Sequence, residues 1–270
     1  MTIEHVVTSG CSFSETGVQT WPHFLHEYTK IPVYNWGQSG AGNGWISRTI
    51  IYQLQNLLND GVDPKSILAI AMWSGIDRTS IFVSKDNFDP IDKLVKDHQQ
   101  RLPLQFLKSR PNSAFMKNNI FGFLEGSGHL GNIDSLLYKK FLEVFKHKPN
   151  QFLAIESYEH FLRVQWFCQS KNIRLINLTF ADIMHYPTVD YTKVDENIPT
   201  SSEYYPHVKN LSDMIDFENW IFFNKTGGLF EYVRDNKLPF KSDGNHPQPN
   251  SHQHYVENFL VPKLKEKEVL

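Results

Sequence analysis

The chain has 270 residues, with 27 Lys+Arg against 29 Asp+Glu, 40% hydrophobic and 14% aromatic residues. At about 100 to 200 residues per domain this length holds one large domain or two small ones, and either buries a self-sufficient core, which excludes disorder, coiled coil and collagen. A formal net charge of -2 gives no bulk attraction to nucleic acid or to an anionic membrane, and Cys11 and Cys168 are too far apart in sequence to read as a disulfide framework or a cysteine zinc site.

The first residues, Met1 to His5, lack the basic region and apolar run of a secretory signal, and no later stretch stays apolar for about 18 residues. The expectation is a soluble protein made without export, cytoplasmic or else released by lysis or carried on a particle such as a virion. Val6-Val7-Thr8 is a β-branched run stopped by Ser9-Gly10, and the apolar spacing over 21–28 predicts a helix after it. Residues 31–35 predict a second strand, ending in a Gly-rich turn at 37–44 and followed by a helix over 45–58. The continuous apolar run 67–73 has the length and pattern of a strand covered on both faces in a parallel sheet. Three βα-type units in the first 80 residues predict an α/β fold, a three-layer sandwich around a central, mostly parallel sheet. Over 78–150 the periodicity breaks at Pro90, Pro103, Pro111 and the glycines around Gly126, which reads as an irregular or helical insertion or lid. The pattern resumes with an amphipathic helix over 154–170 and a buried strand over 173–180. A polar surface loop at 190–213 and a C-terminal helix over 251–265 complete the chain.

Chemistry in an open parallel sheet gathers at the carboxyl ends of the strands. Four polar segments qualify: 10–14, 37–44, 73–78 and 243–247. In the last, His246 stands three residues after Asp243, between Gly244 and Pro247. A base held by a carboxylate, close to a serine from another loop, activates that serine: His takes its proton while Asp fixes the tautomer. Alone, Asp-x-x-His is more often a helix-capping turn. Ser12, after Gly10 at a strand end, supplies the serine. Its plainer role is an N-cap, a reading that applies to Ser14 especially.

Together these segments resemble the SGNH (GDSL-type) hydrolase superfamily. Gly10-Cys11-Ser12-Phe13 is similar to the first block, with Cys11 where Asp is usual; the last block is matched by Asp243-Gly244-Asn245-His246-Pro247, and His252 sits where a helix His often follows. The resemblance implies a flavodoxin-like fold, Ser12 as nucleophile, Asp243 and His246 as its partners, and the amides of Ser12 and Gly40 as oxyanion donors. The third block departs from the pattern. The family has Gly-x-Asn-Asp there, but this chain reads Trp73-Ser74-Gly75-Ile76-Asp77-Arg78, with no Asn to donate to the oxyanion. Ser74 and Asn43 are the candidate substitutes. Trp73 and Arg78 are candidate substrate contacts, Arg78 either anchoring an anionic group or pairing with Asp77.

Weaker signals remain. His23 and His26 share a helix without the carboxylates that would complete a metal site. Asp182 and His185 repeat the Asp-x-x-His spacing as a minor competitor for the triad. Tyr204, Tyr205, Trp220, Phe222 and Phe223 could line a sugar or acyl groove, although buried aromatics are commoner. The leading expectation is a single domain over 1–270 that hydrolyses an ester, an O-acetyl or other short acyl group on a carbohydrate, with no cofactor and no metal. A catalytically weak or inactive relative that binds glycan or serves as a structural component is the second reading. Acyl transfer is the third. The expected partner is a small-molecule or glycan ester, not nucleic acid and not a membrane; the oligomeric state is left open. Hydrogen-bond reach between Ser12 and His246 is the geometric test.

Overall fold

A computed structural model of the chain describes residues 2–76, 78–84, 121–126, 149–185 and 199–270. Four strands, β1 (His5–Ser9), β2 (Val33–Asn35), β3 (Ile67–Trp73) and β6 (Arg174–Thr179), form one sheet in the order β2-β1-β3-β6, every pair parallel. This is the start of the flavodoxin-like doubly wound order, whose direction reverses between β1 and β3. All seven residues of β3 are buried, as the unbroken apolar run requires of a central strand. Beyond β6 the fifth position is held by a single parallel bridge, Asn177 to Trp220, with Ile221 N donating to Asn177 O at 2.9 Å.

Helices cover both faces. Successive strand residues point to opposite sides, and Trp73 packs on Phe161 of α3 (Asn150–Lys171) while Met72 meets Ser14, itself bonded to Trp21 of α1 (Trp21–Thr29). On the first side α3 packs against α2 (Asn43–Asn59); on the other α1 packs against the C-terminal helix. Pro22 opens α1, where its missing N–H costs nothing, and Lys30 ends it in the left-handed region at φ 62°.

Several boundaries differ from the sequence expectation. Strand β2 starts at Val33, after Pro32, and α3 starts at Asn150, directly after Pro149. The loop expected at 190–213 contains two short helices, α4 (Ser201–Tyr204) and α5 (Pro206–Ser212), with residues 190–198 outside those described. Thr200 and Glu203 form a reciprocal capping box for α4, and Pro206 starts α5. After α6 (Leu229–Asp235) the C-terminal helix runs as α7 (Pro249–Tyr255), a π turn (Val256–Leu260) and α8 (Val261–Glu266). Pro262 accounts for the π turn, since a regular α-helix would press its ring on the Asn258 carbonyl. Most of the expected insertion at 78–150 lies outside the described residues; within it β4 (Thr79–Ser84) and β5 (Phe121–Gly126) pair as an antiparallel ribbon. Among the described residues no helix is long and apolar enough to cross a membrane.

Candidate active site

After β1 the chain turns through Gly10 and Cys11 into one 3-10 turn, Ser12–Ser14. Cys11, Phe13 and Ser14 are buried and Ser12 is half-buried. The Ser14 hydroxyl accepts from Trp21 Nε1 at 2.8 Å and donates to Met72 Sδ at 3.3 Å, so it is a core polar group and not an N-cap. The loop after β2 is tied to this turn. Asn35 Nδ2 donates to Ser14 O at 2.8 Å, its Oδ1 accepts from Gly37 N at 2.9 Å, and Gln38 N donates to Gly10 O at 3.0 Å. Gly37 is required there, because a Cβ would overlap the Ser14 carbonyl, and Gly40 turns the chain at φ 81°.

The third segment arrives from the other end of the chain. Asp243 Oδ1 accepts from the backbone amides of Asn245 and His246 at 2.8 and 2.9 Å, and its Oδ2 lies 2.7 Å from His246 Nδ1. His246 Nε2 lies 2.9 Å from Ser12 Oγ, across 234 positions of sequence. Burial works against the charge of Asp243, but the two amides and the His246 ring outweigh it and bring the carboxyl down to about 2. An ionised carboxylate only accepts, so His246 Nδ1 donates to it and Nε2 is left to accept from the Ser12 hydroxyl. The Asp243 side chain is 46% exposed, where solvent weakens its field. Its contribution is therefore mainly orientation and tautomer. Phe13 supports the imidazole from the side, with ring centroids 5.5 Å apart.

Among the described residues the backbone N–H groups of Ser12 and Gly40 donate to no protein acceptor. Neither expected substitute for the missing third-block Asn is available beside them. Asn43 is fully buried, with Nδ2 donating to Ser74 O and Ser157 Oγ, both at 3.1 Å, and Oδ1 accepting from Ser74 N at 2.8 Å. Both of its amide hydrogens are spent. The Ser74 hydroxyl is also fully buried and has no partner among the described residues. Trp73 is likewise no substrate contact: it is buried, donates from Nε1 to Asn177 Oδ1 at 2.9 Å and belongs to the core. Arg78 does reach the strand-end surface, while Asp77 lies outside the described residues.

The weaker sequence signals fall elsewhere. Asp182 and His185 form the same turn as Asp243 and His246, at 2.7 Å, but Thr226 Oγ1 also occupies Asp182 Oδ2 at 2.7 Å; the Ser12 hydroxyl goes to His246. His23 lies 3.1 Å from Glu27, and His26 Nδ1 is 2.8 Å from Ile31 O. No group of three or more metal-ligating side chains gathers among the described residues. The expected aromatic groove is divided: Tyr204 packs on Tyr205, Trp220 on Phe222, and Phe223 on Tyr232 and Phe259. His252 is buried at 3% exposure. Asn35, Phe13 and Phe180 shape the site without having been singled out as functional, although Phe13 stands inside the first block and Asn35 ends β2, just before the Gly-rich turn.

No protein-family model matches the chain, and no curated protein matches it. Among solved structures it is similar to the YXIM protein of Bacillus subtilis, at 13% identity and TM-score 0.44, over 100% of this chain and 58% of that one. It is also similar to a member of the lipolytic protein G-D-S-L family from Veillonella parvula, at 7% identity and TM-score 0.43, over 95% of this chain and 96% of that one. The chain thus spans well under two thirds of the first of these proteins. At such scores the likenesses carry no residue-level argument, and the α/β fold rests on the chain's own strand order.

Proposed function

We propose that the protein is a serine hydrolase of carboxylic esters. The observation that carries this reading is the continuous relay from Asp243 Oδ2 to His246 Nδ1 at 2.7 Å and from His246 Nε2 to Ser12 Oγ at 2.9 Å. Ser12 Oγ attacks the ester carbonyl as His246 Nε2 takes its proton. The carbonyl oxygen, now negative, is held by the amides of Ser12 and Gly40. His246 then returns the proton to the leaving alcohol; water, deprotonated by the same ring, attacks the acyl-enzyme carbonyl, and the ring passes that proton to Ser12 Oγ as the acid leaves. Asp243 holds the proton of Nδ1 throughout, so that Nε2 alone takes the proton and gives it back. The substrate class is a short acyl ester, with an O-acetyl group on a carbohydrate as its first member to try.

With Asn43 and Ser74 turned inward, no third oxyanion donor stands in the third block among the described residues, and losing one such donor typically costs about 10²- to 10³-fold in kcat. That observation favours slow turnover and keeps a glycan-binding relative as the second reading. A fluorophosphonate probe separates the two. Labelling that disappears in Ser12→Ala and His246→Ala, together with hydrolysis of a small acetyl ester lost in both variants, is the expected result. Undiminished labelling or hydrolysis in Ser12→Ala overturns the reading.

A further inference from the structure

Arg78 follows β3 at the carboxyl edge of the sheet, and among the described residues its surroundings are those of a cation without an anion. No described carboxylate pairs with it. Its Nη1 makes one long contact, 3.4 Å to Ala41 O, and its Cζ lies 5.8 Å from the centroid of the Phe180 ring. The residue is held close to the second loop: a Cβ on Gly42 would come within 3.1 Å of both Arg78 Cβ and Arg78 O. Ala41 directly follows Gly40, whose amide is the proposed oxyanion donor. On the other side an aromatic series leads to the proposed base. Phe180 meets Phe13 at 5.1 Å, and Phe13 meets His246 at 5.5 Å.

A guanidinium withdrawn partly from water, with a carbonyl and a ring face as its polar company among the described residues, recovers part of its lost hydration. An anionic oxygen group would recover the rest. The fork of N–H donors matches the planar oxygens of a carboxylate or the face of a phosphate, and it stands at the loop that carries Gly40 and at the start of the ring series that ends on His246.

We propose that Arg78 binds a carboxylate or phosphate carried by the ester substrate, making the protein selective for acidic esters. This rests on the ester-hydrolase reading above. The overall charge of -2 does not oppose it, since recognition at this range depends on the local cation.

The test uses acetyl esters of one aryl alcohol bearing a carboxylate, a phosphate or the neutral methyl ester of that carboxylate, and a hemisuccinate ester with the charge on the acyl side. Binding of the uncleaved esters to Ser12→Ala protein is measured by calorimetry and turnover on the intact chain. At low salt at least one acidic ester is expected to bind and react with about 10- to 100-fold preference over the neutral one, mainly through KM, with the preference shrinking as salt is added. Arg78→Gln should remove that preference and Arg78→Lys should keep part of it, with thermal unfolding confirming that both fold. Which ester is preferred places the anion on the acyl or the alcohol side and distinguishes carboxylate from phosphate. Equal binding of neutral and acidic esters overturns the proposal, as does an equal loss on both in Arg78→Gln and Arg78→Lys, which would make Arg78 an oxyanion or structural residue. If the intact chain turns over no ester and Ser12 is not labelled, the hydrolase reading fails, while the calorimetric comparison still decides Arg78.

Discussion

Asn43 carries the amide that an oxyanion site needs, yet its hydrogen bonds run inward to Ser74 and Ser157. It works as a clamp on the end of β3, bonding both the N–H and the C=O of Ser74. Replacing it by Ala would strand those two buried groups and the Ser157 hydroxyl, at about 1–3 kcal/mol for a group left unsatisfied. Asn43→Ala is therefore expected to lower the urea midpoint clearly, and an unchanged midpoint would show that the clamp carries no stability. Asp243 makes the opposite case, a small exposed residue with a large expected effect. Its folded value of about 2 lies below the ordinary carboxylate value, so its stabilisation is present above about pH 4 and lost as pH falls toward 2. Across the neutral range it stays ionised and holds the His246 tautomer. Asp243→Asn should lower kcat about 10²- to 10⁴-fold with little change in KM, measured on the best ester found. The contacts of Asp243, His246 and Ser12 link segments that stood out in the sequence only when read together through a resemblance, since the three-residue spacing alone suits a capping turn. The true use of Asn43 was not legible, because Ser157 lies 114 positions away.

Between residues and whole molecule, the loops after β1 and β2 behave as one unit. Asn35, Gly37, Gln38, Gly10 and Ser14 are joined by hydrogen bonds that leave the Ser12 and Gly40 amides free of protein acceptors among the described residues. Gly37→Ala tests this unit, since its Cβ would have to displace backbone rather than a flexible side chain. The expected outcome is a loss of stability of more than about 2 kcal/mol by denaturant unfolding, with slower Ser12 labelling in whatever folds. The main strands and helices were legible because apolar runs and helical spacing report burial directly. Helices α4 and α5 were not, because each is too short to show a period and only the Thr200–Glu203 box and Pro206 announce them. The π turn was hidden for a similar reason: Pro262 signals trouble in a helix without saying how the neighbouring turn absorbs it.

At the scale of the whole molecule, the sheet brings the Ser12 turn from one end of the chain to the His246 turn from the other. The C-terminal helix that follows carries His252, which burial, with Lys241 and His246 nearby, drives down to about 3. Below about pH 6.5 an unfolded chain takes up a proton there that the folded chain refuses until about pH 3, so stability falls across that window, by up to about 1.4 kcal/mol per pH unit. His252→Leu removes this term. Its melting temperature should fall less than that of the unaltered chain between pH 7 and pH 4; an equal fall in both would show that His252 is not a source of the acid sensitivity.

Composition and periodicity by themselves determined the α/β class, the buried central strand and the set of strand-end segments where chemistry gathers, because each depends on burial patterns local to a run of residues. Order along the chain also brought Ser12, Gly40, Asp243 and His246 together as candidates through a resemblance. Only the tertiary structure decided which neighbours each side chain has. It gave Ser12 to His246, turned Asn43, Ser74 and Trp73 into the core, divided the aromatic residues among three packings and set Arg78 over the Phe180 ring. Hydrogen bonds of a few ångströms between residues up to 234 positions apart are set by how the layers stack, and no local pattern in the chain records that stacking.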